Sequence, residues 1–114
     1  MKIRINPLDV LFSKLIRLRD KVCQRCGGSG GLQCSHFHGR AKKSVRWDED
    51  NAVALCFGCH MHFTANPYEH TAWFENHLGE VKFALLASRS RVMGKPDRVA
   101  LEIYLKDRIK LLGG

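Results

Sequence analysis

Two Cys-x-x-Cys pairs, Cys23-Gln24-Arg25-Cys26 and Cys56-Phe57-Gly58-Cys59, constrain this chain more than any other feature. Paired thiolates in two such knuckles, with a hairpin-sized insert between them, are the ligand pattern of a tetrahedral four-cysteine zinc site. If both pairs meet on one ion, the insert must leave the first knuckle and return to the second. Leu32-Gln33-Cys34 reads as a short strand leading to His36, and Ala52-Val53-Ala54-Leu55 as its antiparallel partner. The fifth cysteine, Cys34, reads as a buried strand thiol, near enough in sequence to His36 for a contact with whatever His36 does. Two CxxC pairs and one leftover thiol fit a reducing compartment better than a disulfide framework.

Around this insert the pattern is helical. Asn6-Pro7 is a helix start, after which Leu8, Leu11, Phe12, Leu15, Ile16 and Val22 recur at near-helical spacing and leave Lys14, Arg17 and Lys21 on another face. A basic helical face of this kind is by default solvated charge. Past the second knuckle, a helix is expected from Phe57 through Thr64, broken by Asn66-Pro67. Further helices are expected over Pro67 to Leu78, Val81 to Ser88 and Pro96 to Leu112, the last with Val99, Leu101, Ile103, Tyr104, Leu105, Ile109 and Leu112 as a broad apolar surface. At 114 residues, 45% of them apolar, the chain suits one small domain. The expected fold is α+β and mostly helical: a single domain over residues 1–114, with a core at about 20–66 and a helical extension at about 67–112.

Charge narrows the partner. Nineteen Lys and Arg against eleven Asp and Glu give +8, which favours a polyanion such as DNA over an acidic small molecule, with an inert solvated surface as the plain alternative. Arg40, Lys42, Lys43 and Arg46, beside Trp47 in the loop between the strands, have the composition that holds a phosphate backbone. Arg89, Arg91, Lys95 and Arg98 gather near the joint of the last two helices. Asp48-Glu49-Asp50 reads as a solvated or turn-forming run, with cation ligation as the alternative. Cys26 to Gly31 is turn chemistry; it lacks the Lys-Ser/Thr pair of a phosphate-binding loop. Lys14, Arg17 and Arg19 interrupt the only apolar run near the start, and no segment is long enough to span a bilayer, so a cytosolic protein without a membrane partner is expected.

His36, Asn51 and His60 fall in that order through and just after the insert. Together with the two knuckles, this order resembles the HNH endonuclease motif. Ser35-His36-Phe37, Gly39-Arg40, Arg46-Trp47-Asp48, Asn51-Ala52, Leu55 to His60 and Asn66-Pro67 are more narrowly similar to phage-encoded HNH proteins of the NinG/Rap recombination-nuclease kind. The similarity covers most of residues 8 to 80 and is most specific from Cys34 to His60. It implies a ββα-metal (His-Me finger) core with structural zinc, DNA as substrate, a catalytic divalent metal such as Mg²⁺ or Mn²⁺, and a phage or prophage origin in a bacterial host. It also implies roles: His36 as general base, Asn51 as organiser of the loop that presents it, and His60 as metal ligand.

One position departs from that pattern. Many HNH enzymes carry an acid or histidine just before the base as a second ligand, whereas here the residue is Ser35, a poor ligand while neutral. An aspartate there is expected to supply the missing oxygen. As the chain stands, His38, two residues beyond His36 and so on the same strand face, is the first candidate to replace it, with His62, a nearby acid or water as others. His38 as base with His36 as ligand is also open. His70 and His77 have no assigned role. Two other classes remain: a non-catalytic zinc-ribbon DNA-binding module, and a thiol-disulfide oxidoreductase, which would need a thioredoxin-like βαβ pattern that this sequence lacks. Oligomeric state is open, a dimer being one way for a single-site nuclease to cut both strands.

Overall fold

A computed structural model of the chain describes residues 5–114. The domain is α+β, with five helices and one two-stranded antiparallel sheet among the described residues. Helix α1 (Pro7–Asp20) opens where Asn6 caps it, its Oδ1 accepting from the Leu8 amide at 2.9 Å. Such a cap contributes about 1 kcal/mol. The helix ends at Asp20 because Lys21 turns to φ 66° and donates its amide back to the Arg17 carbonyl. Val22 therefore lies past the helix and is exposed, outside the apolar stripe that the sequence pattern gave it.

Strand β1 (Gln33–His36) and strand β2 (Ala52–Leu55) pair in the register Gln33↔Leu55, Cys34↔Ala54, Ser35↔Val53 and His36↔Ala52. Alternation sends Cys34, His36, Ala52 and Ala54 to one face and Ser35, Val53 and Leu55 to the other. The hairpin is thus sandwiched between two cores. On the first face it meets Leu8, Phe12, Leu15 and Ile16 of α1, Trp47, and Leu105 and Ile109 of helix α5 (Arg98–Leu111). On the second it meets Cys23, Val45, Phe63 of α2 (Phe57–Ala65), Phe74 of α3 (Pro67–Leu78) and Leu86 of α4 (Glu80–Ser90).

The helices match the sequence expectations with small shifts. Helix α5 starts at Arg98 rather than Pro96, because the Asp97 carboxylate accepts from the Ala100 amide at 3.0 Å and so occupies the cap position. Only Leu101, Leu105, Ile109 and Leu112, at three- and four-residue spacing, pack inward; Val99 and Ile103 are exposed, so the inward apolar surface is a stripe rather than a broad face. Gly79, at φ 95°, makes the tight joint between α3 and α4.

The end of α1 also closes the outer edge of β2. Asp20 accepts the Ala54 amide at 2.8 Å, Gln24 donates its amide to the Ala54 carbonyl at 3.0 Å, and Arg19 donates to the carbonyls of Ala52 and Glu49, each at 2.7 Å. The acidic run after the loop forms a turn, as one of the two plain readings had it: Asp48 accepts the Asp50 amide at 3.0 Å and caps a short 3-10 turn over Glu49–Asn51. The carboxylates of the run are held by arginines rather than left to water or a cation. Arg89 of α4 pairs with Asp48 at 2.7 Å and Asp50 at 3.2 Å, while Glu49 receives Arg108 of α5 at 3.1 Å and the Tyr104 hydroxyl. These acids tie the two C-terminal helices to the hairpin.

Candidate metal centre and active-site cleft

The four knuckle cysteines meet. The sulfurs of Cys23, Cys26, Cys56 and Cys59 lie within 4.8 Å of one another, positioned to hold one metal ion. Each knuckle wraps its own sulfur: the Cys26 amide lies 3.5 Å from Cys23 Sγ, and the Cys59 amide 3.4 Å from Cys56 Sγ, where Cys56 caps the start of α2. Gly27, at φ 80°, supplies the turn of the first knuckle, its amide on the Cys23 carbonyl at 2.8 Å. Burial pushes the Cys23 thiol up, but the backbone amides of Cys26, Cys56 and Arg25 outweigh it and bring the group down to about 6. Burial and then the neighbouring sulfurs push Cys59 up to about 12, against the pull of the Arg25 guanidinium at 3.4 Å. Four sulfurs so close compete for negative charge, and a cation among them removes that conflict.

A cleft of about 580 Å³ follows β1 and takes residues from both of its faces. Its walls are Asp9, Ser13 and Arg17 of α1, Gln33, Cys34 and His36 of β1, Gly39 and Arg40 of the loop, and His60 of α2. A concavity of about 730 Å³ lies elsewhere, between residues 43–50 and the start of α5, and contains none of the predicted histidines.

His36 is held at one nitrogen. Its Nε2 lies 2.7 Å from the Arg46 carbonyl, which can only accept, so Nε2 carries the proton and Nδ1 keeps the lone pair. The ring leans on Phe12, with centroids 5.4 Å apart. Burial holds the imidazole below its ordinary 6.5, although the Arg46 carbonyl pulls the other way, so the ring is neutral at pH 7. His60 has the complementary arrangement. Its Nδ1 lies 2.7 Å from the amide oxygen of Gln33, which leaves Nε2 as the free acceptor. Gln33 gave no signal in the sequence; only the hairpin register brings it beside a helix 27 residues further on.

Asn51 is fully buried, and its amide is saturated. Oδ1 accepts from the His38 amide at 2.8 Å, while Nδ2 donates to the carbonyls of His38 and Val45, both at 3.0 Å. It clamps the loop at both ends, and the Arg46 carbonyl that orients His36 follows directly on Val45.

The remaining predicted ligands sit away from the cleft. Strand β1 ends at His36, so His38 lies beyond it and the shared-face argument does not apply. Its Nε2 is buried without a partner, its ring is edge-on to Phe37, and it lines no part of the cleft. Ser35 is buried on the face opposite His36, towards the second core. His62 pairs with Glu69 at 2.8 Å. His70 stacks on Phe63 and His77 on Trp73. Asp9 is the acid in the cleft, and it is occupied: Arg46 Nε and Trp47 Nε1 donate to it at 3.0 and 2.9 Å, and Arg40 lies 3.6 Å away.

The four loop cations therefore divide. Arg46, paired with Asp9 and stacked over Trp47, is a strut between loop and α1. Arg40, Lys42 and Lys43 are exposed. Cys34 lines the cleft, and burial pushes its thiol up to about 12, which keeps it unreactive. Among the described residues, no helix is long and apolar enough to cross a membrane. Comparison of the chain with models of known families, with curated proteins and with solved structures finds no match.

Proposed function

We propose that this chain is a metal-dependent HNH endonuclease that hydrolyses DNA phosphodiester bonds, its ββα-metal core formed by β1, β2 and α2. One observation carries the reading: His36 at the end of β1 and His60 in the first turn of α2 line one cleft, each held at one ring nitrogen and open at the other. The ion at Cys23, Cys26, Cys56 and Cys59 is read as structural zinc. A tetrahedron of thiolates at about 2.3 Å from zinc has edges of about 3.8 Å, and the sulfurs of Cys26 and Cys56 are 3.7 Å apart.

In this reading His36 is the general base. Its Nδ1 takes the proton from the attacking water, and the Arg46 carbonyl on Nε2 stabilises the imidazolium that results. Asn51 keeps that carbonyl in place through the loop. His60 Nε2 would hold a divalent cation such as Mg²⁺ or Mn²⁺, with water and phosphate oxygens as the other ligands. When bound, that ion supplies positive charge to the phosphate and the departing oxygen. Exposed Arg40, Lys42 and Lys43 would contact the DNA backbone. A phage or prophage origin, and action in the cytoplasm of a bacterial host, rest on sequence resemblance alone.

A non-catalytic zinc-ribbon DNA-binding module is the second reading. It is favoured by the fact that, among the described residues, the four cysteines are the only group of three or more His, Cys, Asp or Glu spaced to hold a metal. Supercoiled plasmid incubated with protein and a panel of divalent metals separates the two. Cleavage by wild type but not by His36→Ala is expected; plasmid bound but uncut under every metal leaves the zinc-ribbon module.

A further inference from the structure

The cleft has a wall that the HNH-like segment does not supply. Asp9, Ser13 and Arg17 recur every four residues, so they form one stripe along α1, and all three line the cleft opposite the strand residues Cys34 and His36. The stripe changes character along its length. At one end Asp9 is saturated by Arg46 and Trp47; Ser13 is small and leaves room in the middle; Arg17 stands at the other end.

Arg17 is unlike the other arginines around it. Arg19, Arg40 and Arg46 each lie within 4.0 Å of a carboxylate, whereas among the described residues Arg17 has no carboxylate partner. Among the described residues, its only side-chain hydrogen bond is from Nε to the Ser13 carbonyl at 3.2 Å, one turn back on its own helix. That bond lays the side chain along the stripe and leaves the Nη donors unused. Cys34 lines the same cleft. An exposed guanidinium oriented by its own helix, unpaired and facing a cleft with a neutral imidazole base, suits one ligand chemistry: an oxyanion that accepts two N–H bonds.

We propose that Arg17 binds a non-bridging oxygen of the scissile phosphodiester, so that α1 completes the site begun by His36 and His60. The proposal rests on the endonuclease reading. A guanidinium there meets the negative charge that grows on the phosphoryl oxygens as water attacks, and its contribution is largest in the transition state.

The test compares Arg17→Ala, Arg17→Lys and Lys14→Ala with wild type and His36→Ala, on duplex DNA under single-turnover conditions with Mg²⁺ or Mn²⁺. Lys14 is exposed on the same helix and does not line the cleft, so it controls for loss of one positive charge. Arg17→Ala is expected to cut about a hundredfold more slowly, with unchanged thermal stability, and Arg17→Lys to recover part of the loss. Arg17→Ala that cuts as fast as Lys14→Ala, while His36→Ala is inactive, overturns this proposal and leaves the endonuclease reading standing. Wild type that cuts no DNA under any metal overturns both.

Discussion

Asn51 holds His38, 13 positions earlier in the chain, by both sides of its backbone, accepting its amide and donating to its carbonyl. A third bond, to Val45, makes the same side chain the fastener of the whole loop. Asn51→Ala leaves the part-buried amide and carbonyl of His38 unpaired at about 1–3 kcal/mol each, while the Val45 carbonyl keeps only the Asp48 amide at 3.2 Å. It should lower the melting temperature by on the order of 10 °C. Asn51→Asp keeps the acceptor, loses both donors and should be no better. A melting temperature within a degree or two of wild type for either variant would show that the loop does not depend on this clamp.

The cysteine cluster predicts how the domain responds to chelation. An ion held by sulfurs from both ends of the hairpin contributes directly to folding, so a strong chelator should unfold the protein, and Cys56→Ser should melt earlier and bind less metal. Elemental analysis of freshly purified protein should find about one zinc per chain. Protein free of tightly bound zinc, with an unchanged melting curve in chelator, contradicts the assignment.

The two cleft histidines should fail in different ways. His36→Ala is expected to keep the fold and DNA binding while losing about a hundredfold to ten-thousandfold in cleavage rate. His60→Ala should also cut poorly but regain activity at raised metal concentration. Gln33→Ala should mimic His60→Ala more weakly, since the amide fixes which nitrogen faces the cleft. Rescue of His36→Ala by metal, with His38→Ala dead, would mean that the two have exchanged roles.

Position 35 behaves differently from what sequence reasoning suggested. Strand alternation points Ser35 away from His36 and into the second core, so Ser35→Asp buries a carboxylate beside Val53 and Leu55 rather than adding a ligand. It should lower thermal stability and leave the metal concentration for half-maximal cleavage unimproved. An aspartate variant as stable as wild type and active at lower metal concentration would reverse this placement.

Acid should act on the proposed base and on the fold in the same direction. Burial holds His36, His38, His70 and His77 below 6.5 in the folded chain. Between the folded and unfolded values the unfolded chain binds more protons, so their contribution to stability is complete above about 6.5 and is lost as pH falls through the folded values. The acidic limb of kcat/KM should likewise lie below that ordinary value. A limb above 7 would point to a base other than His36.

The cysteine cluster and the hairpin that closes it were legible because each knuckle and each strand carries its own short-range signal. The spacing within each CxxC pair and the alternation within each strand are set by neighbouring residues, and the need for the two pairs to meet joins them. What was hidden depends on partners far along the chain. Nothing near Asp48-Glu49-Asp50 says that Arg89 and Arg108, 41 and 59 residues away, will claim those acids. Arg46 read as a phosphate contact for the same reason, since its partner Asp9 lies 37 residues earlier. A variant lacking Arg40, Lys42 and Lys43 should therefore bind DNA with a smaller salt slope and keep its stability, whereas Arg46→Ala should chiefly unfasten the loop from α1.

A two-stranded ribbon this short has little stability alone, and a bare outer edge accepts any passing strand. On β2 that edge is already occupied: Asp20 and Gln24 engage both backbone groups of Ala54, and Arg19 takes the carbonyl of Ala52. The hairpin cannot be extended on that side by another chain, whether a second copy or a misfolded neighbour. A second copy would have to dock elsewhere, leaving the β2 edge, and the strand that leads the chain back to the second cysteine knuckle, untouched.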